Sequence, residues 1–385
     1  MERWDAIVVG AGPAGSTAAR ELAASGTKVL VLDRAAFPRY KACGGGIPLR
    51  TARLLPFPID PVVEQTVDRI EVTYRGRPAF RRRSGAPFAH MVMRERFDAL
   101  LLDYAQRAGA EFRPRSVVRS ANVDGGVTVR CEDGFEASAD YLVCADGAHS
   151  PVGKMVGLGA GIAECAAWEV EVSRVAPAAA RPGRTAVIDL GYEPWGYAWL
   201  FPKDEVESFG IVLPREKSGE MKRLTSEFAA SRGAAERETT VARGHKIRFR
   251  RGGEPIAGER ALLAGDAAGL ADEFTGEGIF YAVDSGRMAA RAILGALGGG
   301  GTLDGYEREV DRDIMPELEG ARVIAYMFYG MLHRAPRPWL WASARVGPLW
   351  DAFFAVQRGE STYAREVANV PILPGVARRL MTRSE

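Results

Sequence analysis

The sequence predicts an α/β fold: a Rossmann-like lobe with an antiparallel sheet inserted into it, followed by C-terminal helices. Three observations carry that reading. The chain opens on a short apolar strand, Ala6–Val9, which runs into Gly10-x-Gly12-x-x-Gly15, an alanine-rich helix, and a second apolar strand, Val29–Leu32, ending on Asp33. Far downstream another apolar strand, Ala261–Ala264, delivers Gly265-Asp266, and a loop with Gly276 and Gly278 opens a long helix through Val283 and Met288. Between them, Ile70–Phe80, Trp168–Val175, Thr185–Leu190, Tyr197–Phe201 and Glu207–Leu213 alternate as strands, close enough in sequence to pair antiparallel.

Each part of the opening motif has a physical task. Gly10 permits a tight turn, Gly12 lets backbone approach a pyrophosphate, and Gly15 brings helix and strand together. The helix start, with Ala14 in its first turn, offers free N–H groups and a positive dipole end to phosphates. Asp33 is placed to accept from a ribose hydroxyl, with Arg34 beside it. Asp266, at a strand end, suits a ribityl or ribose hydroxyl, and the N–H groups of Gly278 and Ile279 suit a flavin carbonyl. A nicotinamide dinucleotide has no use for so late a return of the chain; a long, extended FAD does. A further strand within Tyr141–Ser150 ends in Asp146-Gly147.

These three loops, in this order, resemble the FAD-dependent hydroxylase/reductase superfamily over most of residues 1–295. The resemblance implies that Arg94, in R-x-x-F-D form before helix Glu95–Gly109, meets an FAD phosphate or ribose. Val117-Val118, ending the strand-like Glu111–Val118, would lie beside the adenine. The superfamily's third loop normally ends in an arginine, whereas here Gly153-Lys154 follows. The implied organisation is a discontinuous FAD-binding domain over residues 1–65, 90–165 and 255–297. A substrate domain takes 66–89 and 166–254, and a helical region takes 298–385.

Composition sets bounds on function. A chain of 385 residues buries a core large enough for two intimately connected lobes. A net charge of +2 gives no drive toward nucleic acid, and the basic runs Arg75–Arg83 and Arg243–Arg251 read as solvated strand faces. Cys43, Cys131, Cys144 and Cys165 form no CxxC pair, so neither a metal site nor an iron–sulfur cluster is expected. Cys144 reads as a small buried hydrophobe. No signal peptide is expected, and no apolar run reaches the roughly 18–20 residues of a membrane span. A cytoplasmic location is the expectation. Beyond the flexible break Leu297–Thr302, Arg322–Val356 carries an aromatic stripe that includes Tyr326, Phe328, Trp339, Trp341, Trp350 and Phe353. Core packing accounts for most of it; capping of an apolar tunnel and peripheral membrane contact stay open for the rest.

After Asp33 the chain reads RAAFPRYKACGGGIP. In the superfamily this loop passes the flavin ring. Gly44-Gly45-Gly46 lets backbone lie close to a flat ring, and Cys43 places a thiol beside it. Free thiols, of pKa about 8.5, are mostly protonated near neutral pH and can donate. The second signature is PWGYAWLFP, residues 194–202, where Tyr197, Trp199 and Phe201 share one strand face. That aromatic wall suits an apolar, unsaturated chain, although such faces also simply fill cores. Joined to Lys41-x-Cys43-Gly-Gly-Gly, it resembles the geranylgeranyl reductase family, whose motifs are a CxGG-type loop and PxxYxWxFP. Pro194, Tyr197, Trp199, Phe201 and Pro202 fall in register.

The resemblance implies saturation of isolated C=C bonds in polyprenyl chains on chlorophyll-type precursors, ether lipids or quinones. Chemistry agrees. An isolated trisubstituted alkene has no carbonyl to stabilise a carbanion, so protonation toward a tertiary cation, quenched by hydride from reduced flavin, is the easier course. That requires an acid on one face of the alkene, flavin on the other, and aromatic faces to stabilise positive charge. Cys43, FAD and the Tyr197/Trp199/Phe201 face meet those needs. Only one dinucleotide fingerprint is present, so NAD(P)H or a ferredoxin-type donor must dock transiently. The competing expectations are a flavin monooxygenase or halogenase of the same fold and a non-catalytic prenyl-binding protein. Halogenases resemble the pattern WxWxIP, which Tyr197-x-Trp199-x-Phe201-Pro202 matches poorly.

Overall fold

The computed structural model describes residues 2–174, 184–192, 195–299 and 302–370; Val175, Pro194 and residues 300–301 of the segments above lie outside the described residues. Apolar segments form the first sheet, in the order Glu111–Arg113, Val29–Leu32, Glu2–Val9, Glu136–Cys144, Val127–Cys131 and Val118–Asn122. Ala261–Leu263 adds to the last residues of Glu136–Cys144. The parallel register is what creates a site. Val9 pairs with both Leu32 and Cys144, and Cys144 with Leu263. Four strands therefore end level, and the loops they release, at Gly10, Asp33, Ala145 and Ala264, converge on one edge. Ligands of open α/β sheets bind outside these carboxyl ends. Helices Pro13–Ala24 and Ile279–Leu297 cross there on small residues: a Cβ on Gly286 would stand 2.5 Å from the Ala14 carbonyl oxygen.

Two segments read as single strands are each divided. Glu111–Arg113 and Val118–Asn122 are separated by Pro114, which has no ladder donor, and by Arg115 at φ 54°. Ile70–Phe80 is a hairpin, Arg69–Tyr74 and Arg77–Arg83, turning through Arg75 and Gly76 at φ 49° and 76°. Two successive positive φ angles match the twist of the flanking strands.

The second sheet runs Thr239–Phe249, Ala163–Ser173, Val206–Pro214, Tyr197–Pro202, Thr185–Leu190, Arg69–Tyr74 and Arg77–Arg83. Its neighbours are antiparallel except Thr185–Leu190 against Arg69–Tyr74. The basic run after Arg243 is not simply a solvated face. Arg248 and Arg250 are buried; Arg248 donates to the carbonyls of Ala267 and Gly159 at 2.7 and 2.6 Å, and Arg250 pairs with Glu307 and Asp311. Arg248 joins the edge strand to the loops at Gly159 and Ala267, and Arg250, just past that strand, joins it to helix Asp304–Asp313, which is why both are internal. A third sheet, Gly46–Pro48, Ala89–Val92 and Val63–Val67, anchors the far end of the Cys43 loop. Helices Met315–Arg334 and Gly347–Arg358 close the hairpin end of the second sheet, packing Phe328, Tyr329 and Phe354 with Ile70, Val72 and Leu190. No described helix is long and apolar enough to cross a membrane.

Candidate active site

At the convergent strand ends the backbone forms an open cradle. Gly10 has φ 100°, and a Cβ there would collide with the Ala145 carbonyl; a Cβ on Gly15 would collide with the carbonyl of Gly10. Gly12 is different: the nearest atom to a Cβ there would be Arg39 Nη2 at 3.8 Å, so its face looks onto free space. Gly12 is also the N-cap of helix Pro13–Ala24 and supplies no side-chain partner to its first N–H groups. Free N–H groups, a positive dipole end and space without side chains fit a pyrophosphate. Asp33 is fixed by two backbone donors, Ala11 N–H and Ala35 N–H, each at 2.8 Å, which leaves further lone pairs for a hydroxyl. The loop before helix Ile279–Leu297 is shaped by buried Asp272, which accepts from the N–H groups of Phe274 and Thr275 at 3.0 and 2.6 Å. Gly278, the N-cap of that helix, likewise adds no side-chain partner.

One cavity of ≈ 1270 Å³ runs from this cradle to the C-terminal helices. It exceeds the roughly 300–1,000 Å³ of ordinary small-molecule sites, as an extended dinucleotide plus a long substrate would need. Gly10, Gly12, Ala14, Asp33, Arg34, Val118, Asp266, Gly276, Gly278 and Ile279 all border it. Gly15 does not; it sits behind the cradle, against Gly10. Cys43, Gly44, Arg94, Tyr197, Trp199 and Phe201 border it as well.

Arg94 occupies a place the resemblance did not anticipate. It is buried and donates to both carboxylate oxygens of Asp98, at 2.9 and 3.0 Å. Burial works against its charge, but Asp98 and Cys43 together raise its pKa above the ordinary arginine value. Asp98 also takes Arg39 Nη2 at 2.9 Å.

The glycines after Cys43 lie against protein rings. A Cβ on Gly44 would stand 2.8 Å from both Phe201 Cδ2 and Trp199 Nε1. Tyr197, Trp199 and Phe201 follow one another with centroids 6.2 and 6.3 Å apart. Trp199 can lie flat because its cross-strand partner is Gly210, where any Cβ would enter the indole. Tyr197 donates its hydroxyl to the Thr275 carbonyl, tying the wall to the cofactor loop.

Sequence reasoning passed over several residues that the fold brings here. His245, near the start of the basic run Arg243–Arg251, stands with its Nε2 2.8 Å from Lys41 Nζ and 3.5 Å from Asp266 Oδ2. Burial, then the Lys41 charge, lowers the His245 pKa; burial also lowers that of Lys41. Burial alone would raise Asp266, but the His245 hydrogen bond and the Lys41 charge hold it well below the usual carboxylate range. Glu169 is buried behind the Cys43 loop. Its signal was available: in Trp168–Val172, Glu169 and Glu171 alternate with apolar residues and so share one sheet face. Of the C-terminal stripe, Phe328, Tyr329, Trp350 and Phe353 border the cavity as well as packing in the core, while Trp341 lies 62% exposed.

Comparisons with known proteins identify the family. Residues 3–313 match the FAD binding domain family. The chain is 34% identical over 314 residues to a geranylgeranyl diphosphate reductase of Rhodobacter capsulatus, covering 78% of each chain. It is 31% identical to digeranylgeranylglycerophospholipid reductase 1 of Methanopyrus kandleri, covering 84% of this chain and 90% of that one. The chain belongs to the geranylgeranyl reductase family. It is an FAD-dependent oxidoreductase. Among solved structures, a geranylgeranyl bacteriochlorophyll reductase-like protein of Thermoplasma acidophilum superposes with a TM-score of 0.79 at 22% identity, over 96% of this chain and 99% of that one. The flavin-dependent brominase Bmp2 does so with 0.75 at 19% identity, over 99% of each. At those identities the likeness is one of fold.

Proposed function

We propose that this family member saturates isolated C=C bonds of a polyprenyl chain carried on a lipid, a quinone or a chlorophyll-type precursor. One observation carries the reading: the Cys43 loop lies against the Trp199/Phe201 wall on a cavity that joins the cofactor cradle to apolar C-terminal helices. Gly10, Gly12, Asp33, Asp266 and Gly278 would hold FAD, which supplies a hydride when bound and reduced. The remaining work falls to this chain's side chains. Cys43 donates a proton to one alkene carbon, and the aromatic faces stabilise positive charge at the neighbouring carbon. Phe274, Phe328 and Phe353 keep water from the chain beyond the reacting bond. Each isoprene unit adds about five carbons at roughly 0.8 kcal/mol per CH2-sized group, so affinity climbs with chain length until the cavity is filled.

The reductant in this reading is NAD(P)H or a ferredoxin-type donor that docks transiently. Val346 and Val370, exposed at 46% and 43% and bordering the cavity, mark a rim where peripheral membrane contact would admit a lipid-borne chain. The test is mass spectrometry after incubating reduced enzyme with geranylgeranyl diphosphate, a geranylgeranyl lipid and menaquinone. A gain of two hydrogens per reduced bond supports the reading, and the preferred compound names the carrier. If no polyprenyl compound gains hydrogen while a small aromatic gains oxygen or halogen, the monooxygenase or halogenase reading replaces it.

A further inference from the structure

Behind the Cys43 loop a buried carboxylate ties together parts of the site that come from distant stretches of sequence. Glu169, only 2% exposed, accepts the Cys43 N–H at 2.6 Å and the Tyr40 hydroxyl at 3.1 Å on Oε2. On Oε1 it accepts the Ser208 hydroxyl at 2.6 Å, and Ser208 Oγ in turn accepts the Trp199 indole N–H at 3.3 Å. One side chain thus fixes the peptide that carries the thiol and, through Ser208, the ring against which Gly44 lies. A buried carboxylate is costly to keep unless its donors are all in place, so an arrangement of this kind is held in one geometry. Gly45 stiffens the same loop from the other side: its φ is 73°, and a Cβ would collide with the Val92 carbonyl.

We propose that Glu169 is the positioning residue that sets Cys43 and Trp199 at a fixed separation, so that the proton reaches one face only of the bound alkene. This rests on the polyprenyl reductase reading. In that reaction the C=C π bond is replaced by two C–H bonds, one from the Cys43 proton and one from the hydride of reduced flavin. The thiolate left behind is reprotonated from water. Glu169 takes no part in the transfers. It decides where the thiol stands when they occur, and a displacement of about 1 Å at such a point costs on the order of 10²-fold in rate.

The experiment uses FAD-loaded full-length enzyme in D2O, reduced with dithionite, with a geranylgeranyl substrate. Glu169→Met keeps the volume but removes every acceptor. It is expected to lower kcat by roughly 10²-fold with KM within a few-fold, and to place deuterium on both faces of the carbon that takes the Cys43 proton instead of one; labelling is read at that carbon alone, because the hydrogen supplied by reduced flavin also exchanges with D2O. Glu169→Gln is expected to restore single-face labelling and most of kcat. Its carbonyl can still take the Cys43 and Tyr40 donors, and its NH2 can donate to Ser208, whose hydroxyl also accepts. Wild-type kcat with single-face labelling in folded Glu169→Met overturns the proposal, as does equal damage in both variants. Should Glu169→Met not fold, Ser208→Ala takes its place: mixed labelling supports the proposal and unchanged labelling overturns it. If the wild type reduces no polyprenyl compound, the reductase reading has failed. The positioning claim is then decided by the Cys43 alkylation rate, which must change in Glu169→Met and be recovered in Glu169→Gln.

Discussion

Two parts of the cavity are built from different materials. At the cofactor end much of the work falls to backbone: Gly10 at φ 100°, the bare face of Gly12 and the start of helix Pro13–Ala24, which has no side-chain cap. Where the cavity passes the Cys43 loop, the work falls to side chains gathered from separate strands and a loop: Cys43, Glu169, Trp199 and Ser208. The difference teaches where each part is vulnerable. The first is sensitive to any added atom, whatever its chemistry; the second is sensitive to chemistry even when volume is kept.

The sharpest way to break that contrast is at two glycines with opposite roles that lie three residues apart in sequence. Gly12 has φ −76°, which a branched residue accepts, and a Cβ there has no neighbour closer than 3.8 Å. Gly12→Val is therefore expected to fold normally and to purify without flavin, because the methyls take the phosphate's place. Gly15→Ala meets the Gly10 carbonyl instead and is expected to lose stability, by about 1–3 kcal/mol for an overpacked contact. Flavin absorbance and thermal unfolding of both variants check this. A yellow Gly12→Val protein would show that the cradle is not where the cofactor binds.

Next in size is Cys43→Ser, which keeps volume and changes chemistry. FAD binding and reduction by dithionite are expected to survive, while alkene reduction falls by about 10²–10⁴-fold, the usual contribution of a general acid. Single-turnover reoxidation of reduced flavin by substrate is the measurement. A loss of only a few-fold would reduce Cys43 to a loop residue.

The same contrast explains what the sequence made legible. The backbone end is local: Gly10-x-Gly12-x-x-Gly15 and Gly276-x-Gly278 spell their geometry in short stretches, and level strand ends follow from parallel pairing. The aromatic wall was legible too, since Tyr197, Trp199 and Phe201 obey the strand period. Partners across the sheet were not. Nothing near Cys43 in sequence announces Glu169, because their contact exists only once Ala163–Ser173 pairs in register with Val206–Pro214 and the loop descends on them. Arg94 shows the same limit. Its place before a helix was readable, but its burial, with Asp98 shared between it and Arg39, depends on how that helix packs. The burial of Arg248 and Arg250 was hidden because a charge run carries no mark of the carbonyls and carboxylates that await it.

A smaller effect is expected where the two materials touch. Gly44→Ala would bring a methyl within 2.8 Å of Phe201 and Trp199, so the rings or the loop must shift by a few tenths of an ångström. Turnover is expected to fall by roughly tenfold with FAD affinity nearly unchanged, because misplacement taxes the reacting geometry first. Wild-type kcat in Gly44→Ala would mean that the loop and the wall are not held in contact during reaction.

The smallest expected effect is a pH dependence of stability, and it samples both parts at once. His245 stands at the cofactor end beside Lys41 and Asp266, while His90, bonded to Thr66 at 3.0 Å, lies in the small sheet that anchors the Cys43 loop. Burial lowers the pKa of each, with the Lys41 charge adding to it at His245. The sign follows. Below the unfolded histidine value of about 6.5, the unfolded chain takes up protons that the folded protein refuses. Each histidine's contribution is therefore complete above that value and is lost as pH falls from it through the lowered folded value, at no more than roughly 1.4 kcal/mol per pH unit. Urea unfolding of the flavin-free protein across that window is the measurement. His245→Gln and His90→Gln should each flatten the slope, and the double variant should flatten it further, since the two sites share no partner. A slope in that window that survives both substitutions would place the acid sensitivity in His149, whose pKa burial and the charges of Lys246, Arg34 and Lys154 also lower; Asp266, with its lowered pKa, loses its contribution only at still lower pH.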